Sequence, residues 1–157
     1  MDSTDFRRAM GLLPTGVTVV TALADGSPSG ATAGAVSSLS LEPPLMLAAL
    51  DRGSRTLAAV EESRRFGVNV LGAASEPVAH RFSTKEHHTV KWDGIEWEER
   101  AGVPWIAGSV LSVACSLRDL HDGGDHVIAT GEVLDVADPG GEPLVFWRGA
   151  YRGLDAR

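Results

Sequence analysis

The stretch "SGATAGAVSSLSLEPPLMLAAL" (residues 29–50) joins a run of small residues to a double proline and an apolar segment. Its first half consists mostly of Gly, Ala, Ser and Thr, where a core strand normally carries Val, Ile or Phe. The second half, "PPLMLAALD", is apolar without alternation, which predicts a buried strand, and Pro43 and Pro44 keep its start off a central ladder. The question is what lies against so bare a stretch of backbone.

Three interpretations of residues 30–44 compete. The first is a strand packed closely against a helix or a second subunit, where glycine permits near contact. A flexible loop is the second, and the β character of Thr32 and Val36 argues against it. The third is a flat ligand lying along the strand, because no bulky side chain shields its N–H and C=O groups. Hydroxyl donors would come from Ser37, Ser38 and Ser40.

The following segment, "DRGSRTLAAV" (residues 51–60), favours the ligand interpretation. It places Gly53, Ser54, Arg55 and Thr56 at the start of a predicted helix. Free N–H groups, hydroxyls and a guanidinium at a helix start converge on an anion. The first strand is suited to a flat ring, and the helix start, one strand further on, is suited to a phosphate. Together these two features indicate a ligand site more strongly than either does alone.

Helix and turn signals organise the first half of the chain. We expect a short amphipathic helix in "STDFRRAMGLLPTG" (residues 3–16), with Ser3 or Thr4 as N-cap. "GVTVVTAL" is β-branched, and the "ADGSPSG" that follows predicts a hairpin turn. "SRTLAAVEESRR" is a helix capped by Ser54, with Arg64 and Arg65 in its last turn. "SEPVAHRFS" predicts a second short helix, and the polar "TKEHHTVKWDG" a surface loop.

From residue 94 onward short β-type runs alternate with turn clusters at Gly102, Gly123 and Pro139. This spacing is typical of an antiparallel sheet closing into a barrel, and no βαβ repeat is present. The predicted fold is mainly β, an antiparallel barrel with a few peripheral helices. At 157 residues the chain has room for one good core, so we expect one domain over residues 1–157.

Composition excludes several classes of partner. Fourteen Lys and Arg residues against 21 Asp and Glu residues give a net charge of -7, which disfavours nucleic acid and anionic membrane surfaces. Cys115 is the single cysteine, so an intrachain disulfide is excluded and a reducing compartment fits. The N-terminus lacks the apolar core of a signal peptide, and we expect a cytoplasmic protein without membrane spans.

Other constellations carry weaker signals. His80, His87, His88 and Cys115 lack the spacing of a metal site, so no metal is predicted. A hydrolase built on Asp125 and a serine is disfavoured because no GxSxG motif is present. The four tryptophans are expected to fill the barrel or a subunit contact, and Cys115 to be a buried apolar residue.

Taken in order, these segments resemble the flavin reductase domain of two-component monooxygenases, the split-barrel FMN-binding group. The resemblance covers nearly the whole chain and is most specific in "SSLSLEPPL" (37–45), "SRT" (54–56) and "GDHVI" (124–128). Its other parts are "PTGVTVVTA" (14–22), "FGVNVLG" (66–72), "AHRFS" (79–83), "GVPWIAGSVLSVACSL" (102–117) and "PLVFWRGAYRGL" (143–154). It implies a Greek-key split barrel, a homodimer, and hydride transfer from NADH or NADPH to FMN or FAD.

The resemblance also assigns site residues. Along the isoalloxazine ring and ribityl chain it places Gly34, Ala35, Val36, Ser37, Ser38 and Ser40. Around the phosphate it places Asp51, Arg52, Ser54, Arg55 and Thr56. Over the flavin it places Arg81 and Phe82, and it brings Tyr151 to the same pocket as His126 from the C-terminal segment. His126 is implied to lie near the nicotinamide as the catalytic residue, the alternative being a histidine that merely caps its turn.

Two departures from the family pattern weaken expected flavin contacts. Gly34 stands where Asn or Ser is common, and Val36 where Phe is common. We therefore expect a flavin that exchanges and delivers its electrons to a partner oxygenase, rather than a permanently held group. The alternatives are a flavin-binding protein without reductase activity, and a flavoprotein reductase of a ferric complex or a cobalamin.

Overall fold

The computed structural model describes residues 1–154, which form a mainly β, antiparallel structure with a few helices, as the sequence predicts. The strands are β1 Thr15–Gly16, β2 Thr18–Ala24, β3 Ser27–Ala33, β4 Val36–Leu41, β5 Pro44–Asp51, β6 Arg65–Leu71, β7 Trp97–Arg100, β8 Val103–Ile106, β9 Ser109–Gly123, β10 His126–Ala137, β11 Leu144–Trp147 and β12 Ala150–Gly153. The α-helices are α1 Ser3–Met10, α2 Arg55–Ser63, α3 Glu76–Ser83 and α4 His88–Trp92. None of these helices is long and apolar enough to cross a bilayer. The single domain over residues 1–157 stays a prediction, and residues 155–157 lie outside the described part.

One seven-stranded antiparallel sheet carries most of the fold, in the order β3-β2-β6-β9-β10-β5-β4. Strands β1, β11 and β12 form a second sheet, and β7 and β8 pair with each other. The predicted β2–β3 hairpin is confirmed. Its turn residues Asp25 and Gly26 have φ of 49° and 72°, the left-handed pair that a tight two-residue hairpin turn requires.

The small-residue stretch is two strands rather than one. β3 and β4 occupy opposite edges of the large sheet, and Gly34 and Ala35 carry the chain between them. The sheet curls so that these edges approach, because the two residues Gly34 and Ala35 are enough to carry the chain from one edge to the other. This curvature is what a split barrel requires. Gly34 fits its position because a Cβ there would lie 3.1 Å from the Thr15 hydroxyl oxygen.

The main core lies between the curled sheet and α2. Val20, Phe66, Val68 and Val60 are fully buried there. Cys115 belongs to the same cluster and is 0% exposed, so the expectation of a buried cysteine is confirmed. Burial raises the pKa of its thiol to about 12, because the thiolate loses solvation in apolar surroundings.

Helix ends differ from the sequence predictions in two places. Asp2, not Ser3 or Thr4, caps α1, its carboxylate accepting the Thr4 N–H at 2.7 Å. Helix α2 ends at Ser63, Arg64 turns the chain with φ of 58°, and Arg65 already belongs to β6. An αL residue at this position ends a helix as glycine usually does.

The segment predicted to be a polar surface loop contains α4. His87 is the N-cap of this helix, and its last residue, Trp92, has only 8% of its surface exposed. Trp92 packs edge-on against Phe82 of α3, with ring centroids 4.9 Å apart. The sequence prediction was wrong because it depended on the polar residues of the segment. The contact of one tryptophan with α3 holds this short helix against the sheet. Trp92 and Trp105 are the buried tryptophans of the described chain.

Candidate flavin site

A cavity of about 530 Å³ lies between β3, the start of α2 and the segment that joins α3 to α4. This volume is in the usual range for a small-molecule site. Eight of the fifteen residues named from the sequence line it: Gly34, Ala35, Asp51, Ser54, Arg55, Thr56, Phe82 and His126. The sequence thus located the cavity through four segments that lie far apart along the chain.

The floor of the cavity is β3 together with the Gly34–Ala35 link, residues 29–35. Gly30 is required by the packing of the helices against β3, because a Cβ there would lie 2.8 Å from the Phe82 ring and 3.2 Å from the Trp92 ring. Gly34 and Ala35 instead are exposed to the cavity. Close packing against a helix therefore explains Gly30, and an open floor for a flat ligand is consistent with Gly34 and Ala35.

The start of α2 presents hydrogen-bond donors to the cavity. Ser54 caps the helix, its hydroxyl oxygen accepting the Leu57 N–H at 3.0 Å and leaving its own O–H to donate. Thr56 is 3% exposed and lines the cavity, yet its hydroxyl has no hydrogen-bond partner within residues 1–154. The hydroxyl oxygen is not among the fully buried side-chain atoms that lack a partner, so it is accessible from the cavity and can donate to a ligand there.

The turn before α2 serves two separate purposes. The Asp51 carboxylate accepts the Gly53 N–H at 2.8 Å and so shapes the turn itself. Arg52 points away from the cavity, toward the β9–β10 turn. Its guanidinium donates to the carbonyls of Gly124 at 3.1 Å and His126 at 3.2 Å, and it pairs with Asp122. Arg52 thus braces the strand start that carries His126.

His126 enters the cavity from the first position of β10, opposite Asp51 in the strand register. Its Nδ1 lies 2.7 Å from the carboxylate of Asp125. This hydrogen bond and the charge of the imidazole lower the pKa of Asp125. When the carboxylate holds the Nδ1 proton of a neutral ring, Nε2 is left as the acceptor nitrogen.

Seven residues named from the sequence do not line the cavity: Val36, Ser37, Ser38, Ser40, Arg52, Arg81 and Tyr151. Val36 packs against the main core. Ser37 and Ser38 are exposed on edge strand β4, where the Ser37 hydroxyl donates to the Ser38 carbonyl at 2.9 Å. Ser40 follows a bulge in the same strand. The chain passes from the cavity floor to the opposite sheet edge at Gly34, which takes these residues away.

The other two distant residues are held by contacts of their own. The Arg81 guanidinium donates to the Asp93 carbonyl. Tyr151 packs edge-on against His80 at 4.9 Å and Phe146 at 5.3 Å, in a core cluster separate from the main one. Burial, and to a smaller extent the charge of Glu76, raise the pKa of Tyr151. A flavin contact for any of these seven residues stays a prediction.

Several lining residues were missed by sequence analysis. They lie at the end of α3, in the segment that joins α3 to α4, and in α4: Ser83, Thr84, Lys85, Glu86, His88 and Lys91. The sequence does show a concentration of basic side chains in this segment of an acidic chain. Because the segment was interpreted as a surface loop, these side chains were given no function. Within residues 1–154 no cluster of three metal-ligating side chains is present.

Comparison with known proteins places the chain in a family. Residues 10–155 match the model of the flavin reductase like domain. The chain is 40% identical to the flavin-dependent monooxygenase reductase subunit HsaB of Rhodococcus jostii, over 99% of this chain and 80% of that protein. It is 38% identical to the FMN reductase (NADH) SmoA of Agrobacterium fabrum, over 96% of this chain and 85% of SmoA.

A solved structure agrees with these sequence matches. The NADH:FAD oxidoreductase SgcE6 of Streptomyces globisporus superimposes with a TM-score of 0.91 at 35% identity, covering 99% of this chain and 95% of that one. Fold, cavity and sequence similarity lead to the same conclusion: the chain belongs to the flavin reductase like domain family.

Proposed function

We propose that this protein is an NADH- or NADPH-dependent flavin reductase that passes hydride to FMN or FAD and supplies reduced flavin to a partner oxygenase. The relatives support this function, since HsaB is a monooxygenase reductase subunit and SmoA an NADH-dependent FMN reductase. The observation that carries it to this chain is the unpaired Thr56 hydroxyl, which faces the cavity beside the free N–H groups of α2.

The residues present fit a flavin phosphate and ring. Ser54 and Thr56 can donate hydroxyl hydrogen bonds, and Arg55 lines the cavity without a carboxylate within 4 Å in the described chain. The N-terminus of α2 adds a favourable dipole for an anion. Gly34 and Ala35 leave the backbone open along the floor, where a flat ring can lie against it.

The protein acts through placement rather than through acid or base chemistry. Bound flavin supplies the hydride-accepting ring, and the chain supplies orientation and electrostatics. Residues 29–35 and Phe82 line the cavity, in which we expect the flavin and nicotinamide rings to stack. His126 lines the same cavity, and its ring is oriented by Asp125. We infer that it contacts the nicotinamide nucleotide.

A His126→Ala variant tests that role. We expect the KM for NADH to rise at least several-fold while the dissociation constant for FMN stays within twofold of wild type. An Asp125→Asn variant should give a smaller rise in KM, because it removes the charge that orients the ring. Equal loss of both affinities would assign His126 to structure instead.

The decisive experiment mixes the protein with NADH and excess FMN or FAD in air and follows the nicotinamide absorbance. Continuous oxidation supports a reductase with exchanging flavin. In a repeat without oxygen, where a held flavin cannot be reoxidised by air, oxidation of a single equivalent indicates a permanently held flavin. No oxidation in either condition indicates a flavin-binding protein without reductase activity. Gel filtration checks exchange separately, because a protein that stays yellow after dilution contradicts it.

We also propose a homodimer located in the cytoplasm. Helix α1 buries none of its residues in the single chain, and its apolar side chains Phe6 and Met10 are 55% and 46% exposed. On β4, at the sheet edge, Leu39 and Leu41 are 48% and 89% exposed. Apolar surface of this kind is normally covered by a partner. Sedimentation equilibrium should give twice the chain mass, and a monomer at micromolar concentration would contradict the dimer.

A further inference from the structure

One tryptophan lies directly behind the floor of the cavity. Trp92 is 8% exposed and packs against two residues that line the cavity, Phe82 and Gly30. Its ring meets the Phe82 ring edge-on with centroids 4.9 Å apart, and a Cβ at Gly30 would lie 3.2 Å from it. A readily oxidised indole therefore stands behind the strand on which we place the flavin ring.

A second tryptophan continues this row of rings outward. Trp97 of β7 packs against Trp92 with ring centroids 5.5 Å apart, and both belong to one apolar cluster with Phe82. Trp97 is half-buried and lines a second cavity, of about 310 Å³, which shares no lining residue with the first. Three aromatic rings in contact thus connect one cavity to the other.

The surroundings of the two indoles favour a positive charge on Trp97 over one on Trp92. The Trp92 N–H is buried without a hydrogen-bond partner in the part of the chain that the structure describes. An oxidised Trp92 therefore has no acceptor for its proton and must hold its charge in apolar surroundings, which is costly. The Trp97 N–H is not among these fully buried atoms, and Glu96 and Glu98 line the same second cavity. Solvent and nearby carboxylates stabilise a cation there.

The row of oxidisable rings ends at Trp97. Trp105 also lines the second cavity, but the Arg100 guanidinium lies 4.3 Å from the centre of its ring. This fixed positive charge disfavours a second one on Trp105. An electron vacancy that leaves Trp92 is therefore held at Trp97, beside solvent.

These observations point to an activity that needs no nicotinamide nucleotide. A flavin that has absorbed blue light is a much stronger oxidant than the same ring in the dark, and it takes an electron from a neighbouring indole. We propose that Trp92 and Trp97, the tryptophan relay, carry electrons from a thiol in solvent to light-excited flavin in the cavity. This inference rests on the proposed flavin site.

Each turn of the relay moves one electron inward. The excited flavin takes an electron from Trp92, Trp92 takes one from Trp97, and Trp97 releases its indole proton to water. A thiol then returns one electron and one proton to Trp97, and two thiols oxidised in this way join in a disulfide. Two turns, with two protons taken up from water, convert one flavin and two thiols into reduced flavin and one disulfide.

The test illuminates the full chain with blue light in the absence of oxygen and NADH, with the protein in excess over FMN and dithiothreitol as the thiol. Loss of the visible flavin absorbance measures reduction, and FMN alone, at the concentration left unbound, gives the background rate. We expect wild type to exceed this background several-fold. Trp97→Phe keeps an aromatic ring in place and should slow light-driven reduction several-fold, while FMN affinity and NADH oxidation in the dark stay within twofold of wild type.

Fluorescence of bound FMN separates the two members of the relay. Trp92→Phe should raise this fluorescence several-fold, because it removes the indole next to the floor, whereas Trp97→Phe should leave it low. Trp147→Phe is the matched control, since Trp147 is half-buried, lines neither cavity and lies 4.5 Å from the Arg148 guanidinium. It should change neither the fluorescence nor the rate of light-driven reduction.

The outcomes separate this inference from the function it rests on. Equal light-driven reduction in wild type and Trp97→Phe, or an equal loss in Trp147→Phe, overturns the relay and leaves the flavin site standing. Bound FMN as fluorescent as free FMN also overturns it, because Trp92 is then not the electron donor. Wild type that binds no FMN in calorimetric titration overturns the proposed function together with the relay.

A measurement on wild type decides the matter should Trp97→Phe unfold. Time-resolved electron paramagnetic resonance of the illuminated protein with FMN should show a tryptophan radical, whose signal narrows when the chain is labelled with ring-deuterated tryptophan. A spectrum without a tryptophan radical overturns the relay.

Discussion

Replacing Thr56 by Val separates a ligand-binding hydroxyl from a structural one. The substitution keeps the shape of the side chain and removes a hydroxyl that has no hydrogen-bond partner within residues 1–154. No protein hydrogen bond is lost, and a methyl group takes the place of the hydroxyl at a position that is 3% exposed. We expect the free energy of unfolding to stay within about 0.5 kcal/mol of wild type.

Flavin affinity should respond very differently. A hydrogen bond to a charged group contributes about 1.5–3 kcal/mol, and about 1.4 kcal/mol corresponds to a tenfold change in affinity. Thr56→Val should therefore weaken flavin binding by about tenfold or more, measured by quenching of flavin fluorescence. Unchanged affinity would refute the assignment of the α2 start as the phosphate site.

Thr21→Val provides the matched control. Thr21 is 0% exposed, its hydroxyl donates to the Pro104 carbonyl at 2.7 Å, and it accepts from Asn69 at 3.2 Å. Here the same substitution removes two buried hydrogen bonds and should cost about 1–3 kcal/mol, a fall in Tm of several degrees. Its flavin affinity should be that of wild type. The two variants thus predict opposite effects on stability and on binding.

Gly30→Ala should lower the free energy of unfolding by about 1–3 kcal/mol in urea titration, because its Cβ would lie 2.8 Å from the Phe82 ring; an unchanged midpoint would contradict close packing. Arg52→Gln should raise the KM for NADH and spare flavin affinity, because Arg52 braces the strand start of His126, and Arg52→Lys should restore part of the loss. Cys115, whose thiol pKa is raised from 9.0 to about 12, should resist alkylation until the chain unfolds. Since the unfolded thiol ionises first, its contribution lowers stability as pH rises from about 9 toward 12, and Cys115→Ala should reduce that slope.

Local chemistry was readable from the sequence. The β-branched runs, the Asp25–Gly26 turn and the Ser54 helix cap depend on neighbours within a few residues, so their patterns predict them directly. The order of the small-residue stretch and the "SRT" segment also located the floor of the cavity and the end at which α2 begins, because both are continuous in the chain. The family resemblance rested on the same continuous segments.

Tertiary structure alone decided the rest. Whether residues 34–40 stay beside the cavity depends on where the chain changes sheet edge, and the curl that lets Gly34 and Ala35 join the two edges is a property of the whole sheet. Arg52 has the residue type of a phosphate ligand, yet the β9–β10 turn holds its guanidinium outside. Helix α4 is held in place because Trp92 packs against Phe82 of α3. Sequence fixes which groups are available and how neighbours interact, while long-range packing determines which of them face a common ligand.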